Sequence, residues 1–152
     1  EGIDGKSFLK ALFGKEKEHR RFAYGIHNNI PEGTAYPIRS IRDKRYKLIL
    51  NLTPEVEYFE KHLMNLKNER SVWASWIEST KTDKRARYFV DRYVKRPAIE
   101  FYDMQKDPWE LNNLAEEKKY AKRIAMMKGE LEAWMRQQGD TGAQMDVKIK
   151  KQ

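Results

Sequence analysis

The sequence predicts an α+β fold: a small antiparallel sheet of about 3–4 strands, packed by a long C-terminal helix, with a helical insert between strands. Three patterns predict it. Apolar and polar residues alternate along Tyr46–Leu52, with Tyr46, Leu48, Leu50 and Leu52 set against Lys47, Ile49 and Asn51. Tyr120, Ile124, Met127, Leu131 and Trp134 recur at helical spacing near the C-terminus. Between them, Pro54 to Arg96 contains no glycine and places Val56, Phe59, Leu63 and Leu66, then Trp73, Trp76 and Ile77, then Ala86, Phe89, Val90 and Tyr93, at intervals that suit helices.

The elements follow in order. Residues 1–14 read as a connecting segment, with a short amphipathic turn over Gly5–Leu12 that Gly14 ends. Residues 22–52 hold strands. Phe22–Ile26 is one, His27–Ala35 is a loop rich in Asn, Pro and Gly, and Tyr36–Arg42 and Tyr46–Leu52 form a hairpin closed at Asp43-Lys44. Pro37 lacks an N–H, which places it at a strand start or an edge. Residues 54–96 form the helical insert, which Pro97 stops. Residues 98–104 alternate again and join the sheet. Asp107-Pro108-Trp109-Glu110 is a turn, and Asn112 and Asn113 offer capping side chains. The last helix spans 117–138 and ends at Gly139. Residues 140–152 carry no sustained pattern and read as a mobile tail.

The chain has 152 residues, enough for one domain with a core. Aromatics at 12 % argue against a disordered chain, despite 36 % charged residues. There is no cysteine, hence no disulfide, thiolate metal site or cysteine nucleophile. No apolar run is long enough for a membrane span or a signal-peptide core. The chain opens Glu1-Gly2-Ile3-Asp4 without Met, as expected of a processed protein or a piece of a longer one. The formal net charge of +8 suits polyanions such as nucleic acid, anionic lipid or sulfated sugar, and equally suits plain solubility. The surplus concentrates between Lys81 and Arg96, where seven basic residues meet two acidic ones around Tyr88, Phe89 and Tyr93. Bases could stack on those rings. A helix with one apolar and one solvated basic face explains the run more simply, and no zinc-finger, RNP-type or basic-zipper pattern accompanies it.

Few residues offer chemistry. His19, His27 and His62 lack metal-site spacing, with one another or with acids. His19 and His62 read as solvated, His62 on a helix. His27 stands where an apolar strand meets Asn28-Asn29, so a rigid strand end can aim its imidazole into a loop-lined site. There is no nucleophile elbow, phosphate-binding glycine loop or calcium-type acidic cluster. Asn51-Leu52-Thr53 has the N-glycosylation pattern, but it lies on a strand before Pro54. The residues alone reach a basic α+β domain with one suggestive loop, and no reaction.

Two blocks go further: Tyr36-Pro-Ile-Arg-Ser-Ile-Arg-Asp-Lys-Arg-Tyr-Lys-Leu-Ile49 and Ile99-Glu-Phe-Tyr-Asp-Met-Gln-Lys-Asp-Pro-Trp-Glu-Leu-Asn-Asn-Leu-Ala115. Both resemble the C-terminal subdomain of type I sulfatases, in the alkaline phosphatase superfamily. In that family an arginine-rich strand pair and a Leu-Tyr-Asp-x-x-x-Asp-Pro-x-Glu-x-x-Asn-Leu-Ala segment precede a last helix. Asp4-Gly-Lys-Ser-Phe-Leu-Lys-Ala-Leu12 resembles the segment that joins the catalytic domain to this part, so the resemblance covers residues 4–139. Tyr24-Gly-Ile-His-Asn-Asn-Ile-Pro-Glu-Gly-Thr-Ala-Tyr-Pro-Ile-Arg-Ser40 and the long insert look most like the N-sulfoglucosamine sulfohydrolase (heparan N-sulfatase) branch. The blocks argue against a related phosphatase or phosphonate hydrolase.

The resemblance implies a parent enzyme that hydrolyses sulfate esters or sulfamates of sulfated sugars with a calcium ion and a formylglycine made from Cys or Ser in Cys/Ser-x-Pro-x-Arg. The residues two before the prolines here are Asn29, Ala35, Leu52, Lys95 and Lys106, so this chain does not hold that nucleophile. The family's paired metal-binding acids are missing too. The chain is therefore expected to be inactive alone, with no catalytic or metal residues of its own. Its expected partners are a catalytic domain in the same parent chain and a sulfated saccharide, with no membrane and no nucleic acid. Periplasm, secretion or lysosome follows from the resemblance. His27, Asn28, Asn29, Tyr36 and Arg39 are the candidate saccharide contacts: amides and imidazole suit hydroxyls, and guanidinium suits sulfate or carboxylate. Arg39 could equally make an ion pair with the catalytic domain. The competing reading is a free-standing basic module that binds sulfated glycans or nucleic acid.

Overall fold

The computed structural model describes residues 5–67 and 71–147. Four strands, β1 (Ala23–His27), β2 (Ile38–Arg42), β3 (Tyr46–Asn51) and β4 (Ile99–Asp103), pair antiparallel in the order β1-β2-β3-β4. Helix α1 (Leu9–Leu12) precedes the sheet. Helices α2 (Val72–Ser79) and α3 (Lys84–Val94) lie between β3 and β4. A 3-10 turn (Lys118–Tyr120) leads into α4 (Ala121–Gln137), and α5 (Ala143–Val147) ends the described chain. The architecture is the predicted α+β fold, with the sheet, the insert and the long C-terminal helix in place.

Register fixes what each sheet face carries. Ile41 pairs with Leu48, and Leu48 with Phe101, so these three stand together on one face. There they meet Ile124, Met127 and Leu131 of α4 in a closed cluster with Phe22, Leu50 and Leu114. The other face carries His27, Ile38, Ile49, Asn51, Glu100 and Tyr102, by the period-2 alternation of side chains. A second cluster covers that side: Tyr36, Tyr58, Met64, Trp73 and Val90, with Ile38, Ile77 and Tyr93 against them.

Local chemistry sets the ends. Asp43 closes the β2–β3 turn, its Oδ1 accepting from the amides of Arg45 (2.8 Å) and Tyr46 (2.6 Å). Pro37 lies just before β2, an inner strand, so it marks a strand start and not an edge. The outer edge of β4 is satisfied by Asn113, whose side chain accepts from the Phe101 amide (2.8 Å) and donates to the Ile99 carbonyl (3.1 Å). Gly139 sits at φ +68° after α4, where a left-handed residue ends the helix.

Three expectations need correction. Residues 54–67 form turns, and His62 lies in a turn instead of a helix. The backbone groups there bond across the chain: the Tyr58 amide donates to the Val94 carbonyl (2.7 Å), the Lys61 amide to the Glu32 carbonyl (2.9 Å), and Gly33 bridges Glu60. Glu60 also caps the His62 and Leu63 amides with its own carboxylate, which competes with helix. Second, residues past Gly139 carry structure where no pattern is expected: Asp140 and Gly142 are buried and Ala143–Val147 is helical. The rest of the expected tail, 148–152, lies outside the described residues, as do residues 1–4 of the connecting segment. Third, Arg39 makes its ion pair within this chain, as described below. Asn51 of the glycosylation pattern is buried, its amide donating to the Pro97 carbonyl (2.6 Å) and Glu100 Oε1 (2.9 Å).

Candidate functional site

The five predicted contacts divide across the sheet. His27 ends the edge strand β1, is exposed, and belongs to the insert face. Arg39 stands on the opposite face, because it neighbours Ile38, the register partner of His27. Its guanidinium is 1 % exposed and grips Asp140 with two bonds, Nε to Oδ2 at 2.5 Å and Nη2 to Oδ1 at 3.1 Å. A third nitrogen donates to the Ile38 carbonyl (3.1 Å). This pair joins β2 to the end of α4, and Asp140 also accepts from the Gly142 amide (2.8 Å). Arg39 thus ties β2 to the end of α4, and its Nη1 also donates to the His27 backbone carbonyl at 3.4 Å.

The loop after His27 is rigidly tied. Asn28 Oδ1 accepts from the Ile30 amide (3.2 Å), and the Asn28 carbonyl accepts from the Tyr36 amide (2.9 Å). Asn29 takes a left-handed backbone (φ 65°), which Asn tolerates. Its buried amide donates to the carbonyls of Phe59 (2.6 Å) and Thr34 (3.0 Å). Gly33 allows the approach: a Cβ there would lie 1.8 Å from the Phe59 carbonyl oxygen. Asn29 is therefore a clamp between the loop and the 58–61 segment. Tyr36 is fully buried, its ring edge-on to Tyr58 at 5.4 Å. Of the five, His27 and the partly exposed Asn28 present side chains at the surface.

Two residues beside His27 escaped the sequence reading. The His27 ring lies 6.3 Å from the Tyr58 ring. Arg96 places its guanidinium 4.9 Å above Tyr58 and 5.4 Å from the Tyr93 ring centre. These contacts join positions far apart in sequence, and the only local signal was Arg96's place at the end of the basic run. The His27 pKa is lowered, first by partial desolvation of the ring on its protein side, although the residue as a whole is exposed, and then by the Arg96 charge, with Glu32 opposing. The imidazole is therefore neutral at pH 7, able to donate from one nitrogen and accept at the other. Burial also raises the Tyr36 hydroxyl pKa, so that group stays protonated.

The basic run itself is split. Tyr93 joins the second cluster, Phe89 lines a cavity, and Tyr88 is exposed. That cavity, about 580 Å³, lies between α2–α3, the sheet and the Trp109 turn. Apolar side chains are also exposed elsewhere: Phe8, Leu9, Leu12 and Phe13 around α1, and Ile26 beside His27. No helix among the described residues is long and apolar enough to cross a membrane.

Comparison with known proteins gives consistent findings. No protein-family model matches the chain. It is 34 % identical over 146 residues to an ulvan-active sulfatase of Formosa agariphila, covering 92 % of this chain and 26 % of that protein. It is 25 % identical over 141 residues to the human N-sulphoglucosamine sulphohydrolase, covering 87 % of this chain and 26 % of that protein. Among solved structures, a 2-O GAG sulfatase superposes with a TM-score of 0.54 at 22 % identity, over 90 % of this chain and 21 % of that one. A structure in complex with its substrate D-glucosamine-2-N,6-O-disulfate gives the same score over 91 % of this chain and 21 % of that one. The chain thus spans about a quarter of the length of the curated relatives it matches.

Proposed function

This chain is homologous to the C-terminal subdomain of type I sulfatases, and from that premise we propose that the protein carrying it hydrolyses sulfate groups from a sulfated saccharide. The similarity along nearly the whole chain to sulfatases that are about four times longer carries this reading. Water cleaves the S–O bond of an ester or the S–N bond of a sulfamate, releasing sulfate and a sugar hydroxyl or amine. A catalytic domain in the same protein supplies the formylglycine nucleophile and the calcium. The described residues of this chain do not fit that ion: no three His, Asp or Glu side chains converge. The buried carboxylates are already engaged, Asp103 by Arg45, Asp140 by Arg39, and Glu100 by Tyr102 and Asn51.

The subdomain packs on the catalytic domain, and the exposed apolar residues of α1 and Ile26 suit that contact. His27 and Asn28 line one wall of the sugar pocket. The neutral imidazole exchanges hydrogen bonds with sugar hydroxyls, while Asn29, Tyr36 and Arg39 hold the loop and strand that present it. An extracytoplasmic place — periplasm, secretion or lysosome — follows from polysaccharide substrates.

Heparan-type N-sulfoglucosamine is the favoured saccharide, from the Tyr24–Ser40 segment and the human relative. Ulvan is the second reading, favoured by the higher identity to the ulvan-active enzyme. Sulfate release by the whole parent protein, from N-sulfated glucosamine and from ulvan oligosaccharides, separates them. Release from one and not the other assigns the saccharide, and release from neither overturns the proposal. With the cleaved saccharide, His27→Ala should lower kcat/KM roughly tenfold, the size of one lost hydrogen bond to a substrate hydroxyl. Unchanged kinetics would remove His27 from the pocket.

A further inference from the structure

We propose that the cavity between the insert and the sheet is a second saccharide subsite, in which aromatic rings stack on a pyranose and Arg96 receives its anionic oxygen substituent. The saccharide class rests on the sulfatase reading above. The recognition chemistry rests on the cavity alone.

The volume of about 580 Å³ lies within the range of small-ligand sites. Trp76, Phe89, Tyr93 and Trp109 supply flat apolar walls. Trp109 is 80 % exposed at the rim, an unusual place for an indole. Such rings suit a ligand with a flat apolar face and polar edges, as the hydrogen-bearing face of a pyranose is.

The charges narrow the ligand further. Asp83 Oδ1 is used on the Arg85 amide (2.7 Å), capping α3. Glu110 holds Lys47 at 2.7 Å. Glu100 accepts from Asn51 and from the Tyr102 hydroxyl. Arg92 donates to the Leu111 carbonyl (3.1 Å) and to Tyr102. Arg96 alone of these lining charges has no carboxylate partner among the described residues, and its guanidinium carbon lies 4.9 Å from the Tyr58 ring centre and 5.4 Å from that of Tyr93. A guanidinium held by cation–π contacts, with no carboxylate beside it, has N–H donors to offer an oxyanion, which it can hold with two bonds. Sulfate and carboxylate share that chemistry. The ring contacts of His27 with Tyr58 and of Tyr58 with Tyr93, with Arg96 against the last two, link the strand end to the cavity wall.

The test uses the whole parent protein with Arg96→Gln and Trp109→Ala. The probes are an N-sulfated heparan-type tetrasaccharide, its N-desulfated form, its carboxyl-reduced form, and N-sulfoglucosamine monosaccharide. Each variant should weaken tetrasaccharide binding by calorimetry roughly tenfold, as one charge-assisted bond or one stacked ring would. Monosaccharide turnover should be unchanged in Trp109→Ala, which lies away from His27. The modified tetrasaccharide that lacks the group held by Arg96 should bind wild-type protein more weakly and lose nothing more in Arg96→Gln. Unchanged tetrasaccharide affinity in both variants overturns the subsite. So does a lowered Tm with unchanged affinity in Trp109→Ala, which would place the catalytic domain against this face. If wild-type protein binds the tetrasaccharide and both variants lose affinity, yet no sulfate is released, the subsite stands and the sulfatase reading falls. If sulfate is released and the affinities do not change, the reverse holds.

Discussion

The two faces of the sheet are built from different chemistry. The α4 face is a closed cluster, with Ile41, Leu48, Phe101, Met127 and Leu131 all inaccessible to solvent. The insert face is aromatic and mixed with polar groups, and it leaves a cavity beside Arg96 and Glu100. Even the arginines differ. Arg39 is locked to Asp140 on the first face, while Arg96 rests on rings on the second. One face is closed by packing, and the other carries the proposed ligand sites.

Breaking the closed face should have the largest effect. Asp140→Ala removes the bidentate partner of a buried guanidinium, which should cost about 3–5 kcal/mol in urea unfolding. The pair also has a pH signature. The hydrogen bonds from Arg39 are the main cause holding the Asp140 carboxyl below its ordinary value, and those from Arg45 do the same for Asp103. A depressed carboxylate contributes stability that is fully present above the unfolded-state value. That contribution is lost as pH falls through the folded one. Stability should therefore drop below about pH 4, and Asp140→Ala should flatten part of that drop. A variant as stable and as acid-sensitive as wild type would show that the pair contributes nothing.

The next contrast sets one residue from each face side by side. Met127→Ala empties a fully buried site and should cost about 2–5 kcal/mol. Trp109→Ala, although it deletes a larger side chain, should change unfolding free energy by no more than about 0.5 kcal/mol, because Trp109 is mostly solvated. Equal losses would mean that Trp109 is covered in the whole protein and that the second face is structural too.

The same contrast explains what the sequence made legible. The α4 face follows from local periodicity: alternation from Tyr46 to Leu52, helical spacing from Tyr120 to Trp134, and a stop at Gly139. Register then places Ile41, Leu48 and Phe101 together with no further information. The insert face depends on partners distant in sequence. Helical spacing from Val56 to Leu66 misleads, because the Tyr58 and Lys61 amides bond to Val94 and Glu32 instead of closing helical turns. His27 was visible as a strand end. Its neighbours Tyr58 and Arg96 were not, since neither periodicity nor a motif ties them to it. Period 2 sends Arg39 to the face opposite His27, a consequence that needs the exact register. Asp140 showed no pattern because its role is a single pairing across the fold.

The smallest predicted effect is the most direct probe of the open face. Arg96 lowers the His27 pKa, second to burial, while Glu32 raises it. By NMR, His27 in the wild-type protein should titrate below the ordinary value of about 6.5. Removing the guanidinium in Arg96→Gln takes away a charge that disfavours imidazolium, so the midpoint should rise toward that value. Burial remains, so the rise should be incomplete. Linkage gives the same sign for stability. A histidine whose folded pKa is depressed binds fewer protons when folded than when unfolded. The fold therefore loses a little stability as pH falls through the unfolded value, and Arg96→Gln should shrink that loss. The measurement needs no substrate, so it tests the geometry independently of any assignment of function. A midpoint unmoved by the substitution would separate Arg96 from His27 and break the route from the strand end to the cavity. A midpoint that rises would place the one guanidinium without a carboxylate partner among the cavity's described charges within electrostatic reach of the one imidazole in the candidate wall.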